Sequence, residues 1–136
     1  MNLVSQSLSG LPLFLEYFVA GLLLFGAFLA VYGWVTPYNE RALIREGNVA
    51  AAISLSGAIV GFMLPLASAI AHSVSVIDMV IWGLVALVVQ VAVFAVVTRA
   101  LPHFGEGIRS GKAASATLLA ALAVAVGLLN AACMTY

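Results

Sequence analysis

Chemistry that needs charge has few places to sit in this sequence. Of its five acids, Glu16 and Asp78 alone lie outside the two short segments that hold the bases. Helices expected over 13–36 and 76–99 put each of these acids within about a turn of a helix start. The helix expected over 48–71 closes at Ser68 and His72, and the one over 113–134 carries Asn130 one turn from its end. Five polar groups from four helices thus share one layer. Carboxylates beside a histidine could receive a small cation or pass a proton, because ionisable groups at membrane depth are costly and tend to mark pathways, and imidazole titrates near neutral pH. The plainer alternative is that Glu16 and Asp78 complement helix N-termini, worth about 0.3–1 kcal/mol each, and that His72 is wet. Deeper, Gln90 falls level with Ser54 and Ser56. It is expected to hydrogen-bond one of them, a contribution of about 0.6–2 kcal/mol.

Other chemistries lack their residues. No His, Cys and Asp cluster has metal-ligand spacing, no GxxxxGK loop would cradle phosphates, and no nucleophile stands beside a base. The chain is expected to be no enzyme and to use no metal and no cofactor. Cys133 is the single cysteine, so no intramolecular disulfide can form; a buried, inert thiol is expected, with an intermolecular bridge as the alternative.

The elements that must position these groups are set by composition. Of 136 residues, 65% are hydrophobic and 7% charged, against about 25% charged in ordinary soluble domains. A soluble domain this small could not hide so much apolar surface. The expected fold is all-α: a polytopic membrane protein filling residues 1–136 as one transmembrane domain. Four uncharged runs, 17–39, 47–77, 79–98 and 113–136, are each long enough for a helix of about 20 residues, which spans a hydrocarbon core of about 30 Å. Lipid leaves open backbone groups unsatisfied, and the alternation that a closed barrel needs is not visible. The start of the chain has no basic n-region and its apolar run is too long for a cleaved signal.

All five bases lie in or beside two short loops, Arg41 and Arg45 in 37–47, then Arg99, Arg109 and Lys112 around 100–112. Lys and Arg collect on the cytoplasmic side of membrane segments. Both loops are therefore expected to be cytoplasmic and both termini periplasmic or extracellular. With Glu40, Glu46 and Glu106 the loops balance at +2, and Glu16 with Asp78 gives the rest −2. This asymmetry concerns orientation, and no nucleic-acid reading surface exists. The interleaved Glu40, Arg41, Arg45 and Glu46 are expected to pair locally. A sharper alternative is a protein docking site, or anionic lipid headgroups at Arg45 and Arg109.

Local signals agree with these boundaries. Pro12 suits a first turn, Thr36-Pro37-Tyr38-Asn39 ends the first long helix, and Ser75-Val76-Ile77-Asp78 reads as a capping box. Trp34, Tyr38 and Tyr136 are expected at interfaces. Ile44-Arg45-Glu46-Gly47-Asn48-Val49-Ala50 matches Ile108-Arg109-Ser110-Gly111-Lys112-Ala113-Ala114 as I-R-x-G-x-x-A, 64 residues on. This suggests a parallel repeat of two hairpins, about 1–72 and 73–136, unlike the inverted repeats of many transporters. Gly57 and Gly61 form a GxxxG spacing, and Ala116, Ala120, Ala123, Gly127 and Ala131 line the last helix. Small residues let helix backbones approach closely. Pro65 should bend its helix near Gly61.

Thr36 to Glu40, Leu43-Ile44, Gly47 to Ala51, Ser56-Gly57 through Gly61, Pro65 to Ser68, Trp82-Gly83 with Gln90, and the terminal Gly127 to Thr135 together resemble the YjfL-like inner-membrane proteins, a family named only as a domain of unknown function. The resemblance covers nearly the whole chain. It implies a small four-helix bacterial inner-membrane protein, and it adds interest to Asn48, Gln90 and Asn130, which match the family's recurring polar positions. Family members tend to be encoded near envelope-stress and ATP-grasp ligase-like genes, which implies a cytoplasmic envelope-stress partner. No activity comes with the family. The leading expectation is a homo-oligomeric transport or channel-type component for a proton or small cation, with membrane lipids around it. The alternative is an adaptor that acts through protein partners and transports nothing.

Overall fold

The computed structural model describes residues 2–134 of the chain. Seven helices follow one another: α1 Leu3–Leu8, α2 Leu11–Val35, α3 Glu40–Arg45, α4 Val49–His72, α5 Val76–Ala100, α6 His103–Arg109 and α7 Ala113–Cys133. Among the described residues there is no strand. Four stretches, Leu3–Val35, Val49–His72, Val76–Ala100 and Ala113–Cys133, are long and apolar enough to cross a membrane. Three short helices had no counterpart in the sequence reading: α1, and one in each basic loop. Tyr136, expected at an interface, and Thr135 of the terminal motif lie outside the described residues.

The two loop helices end alike. After α3, the Gly47 N–H donates to the Ile44 carbonyl at 3.0 Å and the Asn48 N–H to the Leu43 carbonyl at 2.9 Å. After α6, Gly111 donates to Ile108 at 3.0 Å and Lys112 to Gly107 at 2.8 Å. Both are Schellman closures, which place a left-handed residue just past the helix. Gly47 at φ 84° and Gly111 at φ 79° fill that place, where a side chain would be strained. The I-R-x-G-x-x-A segments therefore share one backbone geometry, and each delivers the chain directly into a long helix.

α4 is the hub. Its most extensive packing is against α7, and it also meets α2, α5, α3 and α6. The small residues make the α4–α7 contact possible. A Cβ on Gly57 would collide with the backbone of Ala120, one on Gly61 with the Ala123 carbonyl, and one on Gly127 with the Gly61 carbonyl. Residue numbers rise together along the two helices, so the pair is parallel. The GxxxG face is thus used within the chain. Pro65, buried in α4, lacks the N–H that would have bonded the Gly61 carbonyl four residues back, and that carbonyl is the one pressed against Gly127.

Aromatic rings join the other helices. Phe28 of α2 stacks on Phe62 of α4 with centroids 4.4 Å apart, and Tyr32 of α2 meets Phe94 of α5 at 4.6 Å. Leu24, Leu66, Met79 and Leu119 complete the buried core. Outward faces stay apolar and open, as at Leu23, Val88 and Leu129, which is the pattern for helices solvated by lipid.

Two burial expectations are corrected. Cys133 is exposed; it belongs to the last turn of α7, beyond the glycine contacts that hold α7 against α4. Tyr38 is 6% exposed and does not lie at an interface with its ring open; the turn after Pro37 folds it inward.

Gly61→Ala should lower stability by about 1–3 kcal/mol, the usual cost of overpacking. Gly26→Ala, with open space around it, should be neutral or stabilising by up to about 1 kcal/mol through helix propensity. Unfolding in mixed micelles checks the contrast, and equal effects of the two changes would contradict the packing described.

Candidate functional site

The site forms where the chain leaves α2. Thr36 caps the helix by donating its hydroxyl to the Tyr32 carbonyl, and Pro37 prevents the helix from continuing. Asn39 then starts α3, its side chain accepting from the Ala42 N–H at 3.2 Å. This tight reversal folds Glu40 back against α2, where the Tyr32 hydroxyl donates to Glu40 Oε1 at 2.9 Å. Beside it, the Tyr38 and Ser54 hydroxyl oxygens lie 3.0 Å apart. Glu40 was expected to pair with its neighbouring arginines; the structure gives its carboxylate a phenol donor instead.

The second loop braces the first. Arg109 donates to the Pro37 carbonyl. The Asn48 side chain does two tasks: Oδ1 accepts from the Ala51 N–H at 3.1 Å to cap α4, and Nδ2 donates to the Ile108 carbonyl at 2.8 Å, with Arg109 O at 3.4 Å.

Burial sets the electrostatics. It pushes the Glu40 carboxyl up to about 7, while hydrogen bonds from Tyr32 and Tyr38 pull it partly back. Burial also pushes the Tyr38 phenol up to about 12, with the Ser54 hydrogen bond opposing and the Glu40 charge reinforcing. Removing the charged form from water is the dominant effect at both groups. Glu40 is therefore divided between acid and carboxylate near neutral pH. Held by the Tyr32 hydroxyl, it can take up and release a proton there.

Two cavities meet at Tyr32. The larger, about 780 Å³, opens at the basic-loop end between Trp34, Thr36, Tyr38, Glu40, Arg41 and Leu55. The smaller, about 20 Å³, lies deeper among Phe28, Gln90, Phe94 and Leu119. Tyr32 lines both.

The polar groups expected at the opposite end are distributed differently. Ser68 donates to the Ala131 carbonyl at 3.3 Å and so ties α4 to α7. His72 Nδ1 lies 2.9 Å from the Ser68 carbonyl on its own helix. Asp78 receives the Val74 N–H at 3.0 Å and donates its own N–H to Ser75 Oγ at 3.1 Å, a variant of the expected capping box. Asn130 is buried, with Nδ2 3.4 Å from the Ala86 carbonyl of α5. Glu16 is exposed on α2. Neither cavity is lined by Glu16, Ser68, His72, Asp78 or Asn130. Among the described residues no three His, Cys, Asp or Glu side chains are grouped to hold a metal.

The mid-depth expectation needs correction too. Gln90 pairs with neither serine; its Nε2 donates to the Ala123 carbonyl of α7 at 2.8 Å. Ser56 bonds its own helix at Ala52, a common fallback for a helical serine facing outward, and Ser54 is taken by Tyr38. Of the loop residues, Arg41 lines the large cavity and Arg109 braces Pro37, while Arg45 and Lys112 are exposed. Tyr32, Tyr38 and Glu40 were missed as a site. The available signal was Asn39, a helix-capping residue directly before Glu40, which starts a helix pointing back toward α2.

Two outcomes follow. Because burial raises the Glu40 carboxyl from 4.5 to about 7, the folded protein holds an extra proton in that window. Glu40's contribution to stability should be fully present below pH 4.5, be lost as pH climbs through 7 and stay absent above it. Glu40→Gln should flatten this fall, and an identical pH slope in both proteins would refute the burial. Asn48→Ala should cost more than Asn39→Ala. Each loses a cap of about 0.5–2 kcal/mol, but Asn48→Ala also removes the Nδ2 bonds to the Ile108 and Arg109 carbonyls that tie α4 to the end of α6.

The family described as Domain of Unknown Function (DUF350) matches residues 6–134. Two curated proteins, each described as UPF0719 inner membrane protein YjfL, from Escherichia coli strain K12 and from Escherichia coli O157:H7, are 40% identical to the chain over 129 residues. That stretch covers 95% of this chain and 98% of each relative. No solved structure matches. A family match across almost the whole chain, near-complete overlap with inner-membrane relatives and four spanning helices agree, and the chain belongs to the DUF350 family of inner-membrane proteins.

Proposed function

We propose that the chain is a transport component that carries protons or another small cation from the basic-loop end, with Glu40 as its titrating group. The observation behind this is the Glu40–Tyr32 hydrogen bond at the mouth of the large cavity, with the carboxyl poised near 7. A group that changes charge at the working pH can load and unload protons. Tyr32 then forms a wall of the deeper cavity, which continues toward Gln90. Four helices leave no wide pore, so the route is narrow, and a homo-oligomer is expected to complete it. Basic loops favour the cytoplasmic side, which makes Glu40 the cytoplasmic entry and puts both termini outside. The matching loop closures favour two hairpins descended from one unit. Membrane lipids are the partners of the open apolar faces.

One observation favours the adaptor alternative. Trp34, 89% exposed, stands with Arg41 at the mouth of the large cavity, a surface that a cytoplasmic envelope-stress partner could use. The two readings separate in liposomes. Purified wild-type protein should dissipate a pH gradient, Glu40→Gln should abolish that flux, and Glu46→Gln, changed on the exposed loop, should retain it. Silent wild-type liposomes, or undiminished flux in Glu40→Gln, would overturn the pathway.

A further inference from the structure

Gln90, which lines the small cavity, carries an unanswered acceptor. Gln90 is 4% exposed and lies in the middle of α5. Its Nε2 is used by the Ala123 carbonyl, and this fixes the amide's orientation, since turning it over would set two oxygens face to face. Oε1 is then buried without a hydrogen-bond partner. An unsatisfied buried polar atom is unfavourable, and hydrocarbon offers it nothing. The chain has gone to some length to keep this arrangement: Gly61 gives Gln90 its room, because a Cβ there would lie 2.7 Å from Nε2.

We propose that Gln90 Oε1 is the anchor of a mid-membrane site for one small uncharged hydrogen-bond donor, water in the first place. Size supports this. A cavity of about 20 Å³ exceeds the roughly 10–15 Å³ that one water needs. Chemistry supports it as well. The occupant must donate, because the one buried side-chain polar atom without a partner among the described residues is a carbonyl oxygen. It must be neutral, because the wall is Phe28, Tyr32, Phe94, Leu119 and similar apolar residues, and a bare ion there would forfeit its hydration. A metal cation would need about six oxygens. The aromatic rings in the wall are weak acceptors for a second donor hydrogen. This deepens the pathway proposed above and rests on it only for its use. The site lies one cavity beyond Glu40, with Tyr32 between.

Isotope labelling of glutamine and phenylalanine tests the site in lipid bilayers. The sequence has two glutamines, Gln6 and Gln90, and Gln6→Asn leaves one signal. In solid-state NMR with polarisation transferred from water, the Gln90 carboxamide should gain signal severalfold faster than the ring carbons of Phe62, which is fully buried. Ala58→Val, which adds two methyl groups to the cavity wall, should slow that gain severalfold. Adding 15N-labelled ammonium supplies ammonia as the other small donor; a 15N contact to Gln90 would keep the site and name the second source. A Gln90 carboxamide as dry as Phe62, with no ammonia contact, overturns the site. Proton flux that persists with a dry Gln90 would sink this site and spare the Glu40 pathway; a wet Gln90 without flux would do the reverse.

Discussion

Hydrocarbon supplies no hydrogen-bond partner, so a polar side chain at depth turns to its own helix, as Ser56 does, or to a neighbouring one. In this chain the partners are mostly backbone carbonyls: Ala123 for Gln90, Ala131 for Ser68 and Ala86 for Asn130. A carbonyl inside a helix is already used by its own ladder. It can take a second donor only if that donor comes very near. Glycine and alanine on α4 and α7 allow this approach by removing side-chain bulk where the backbones meet. The close α4–α7 pair therefore precedes the polar contacts in the causal order. Add a methyl at Gly61 and both the packing and the Gln90 bond lose their space.

The loop end depends on that pair in turn. α4 and α7 begin side by side because each follows the same glycine closure. This sets Asn48 next to the end of α6 and Arg109 next to Pro37. The brace holds the turn after α2 shut, keeps Tyr38 inside and leaves Glu40 facing Tyr32. A carboxyl on a flexible loop would turn to water and titrate as an ordinary glutamate. Here the frame reduces its contact with water, and the raised affinity for a proton follows from that partial burial.

Much of this was legible in the sequence. The uncharged runs between clustered bases mark the four spans, because bilayer thickness dictates their length. Pro37 and the capping Ser75 mark ends by simple backbone rules. The glycine spacing announces a close helix contact, though spacing alone could not say whether its partner was internal. The side-chain partners were less legible. Equal depth suggested Ser54 for Gln90, but depth says nothing about which face a residue occupies, and α7 rather than a serine lies opposite. Glu40 looked like a surface charge because its neighbours in sequence are arginines. Its burial arises from the reversal at Pro37 and from a contact 72 residues away, which no local pattern encodes. Cys133 looked buried by residue type, yet it lies past the packed part of α7.

The central claim is a confined, proton-sharing carboxyl at Glu40, and infrared spectroscopy reads it directly. A pH titration of the protonated carboxyl C=O band in lipid, taken as the difference between wild type and Glu40→Gln, should show one group half-protonated near pH 7 in a hydrogen-bonded position that shifts in Tyr32→Phe. A difference band that titrates near 4.5, or that ignores the loss of the Tyr32 hydroxyl, would contradict the account.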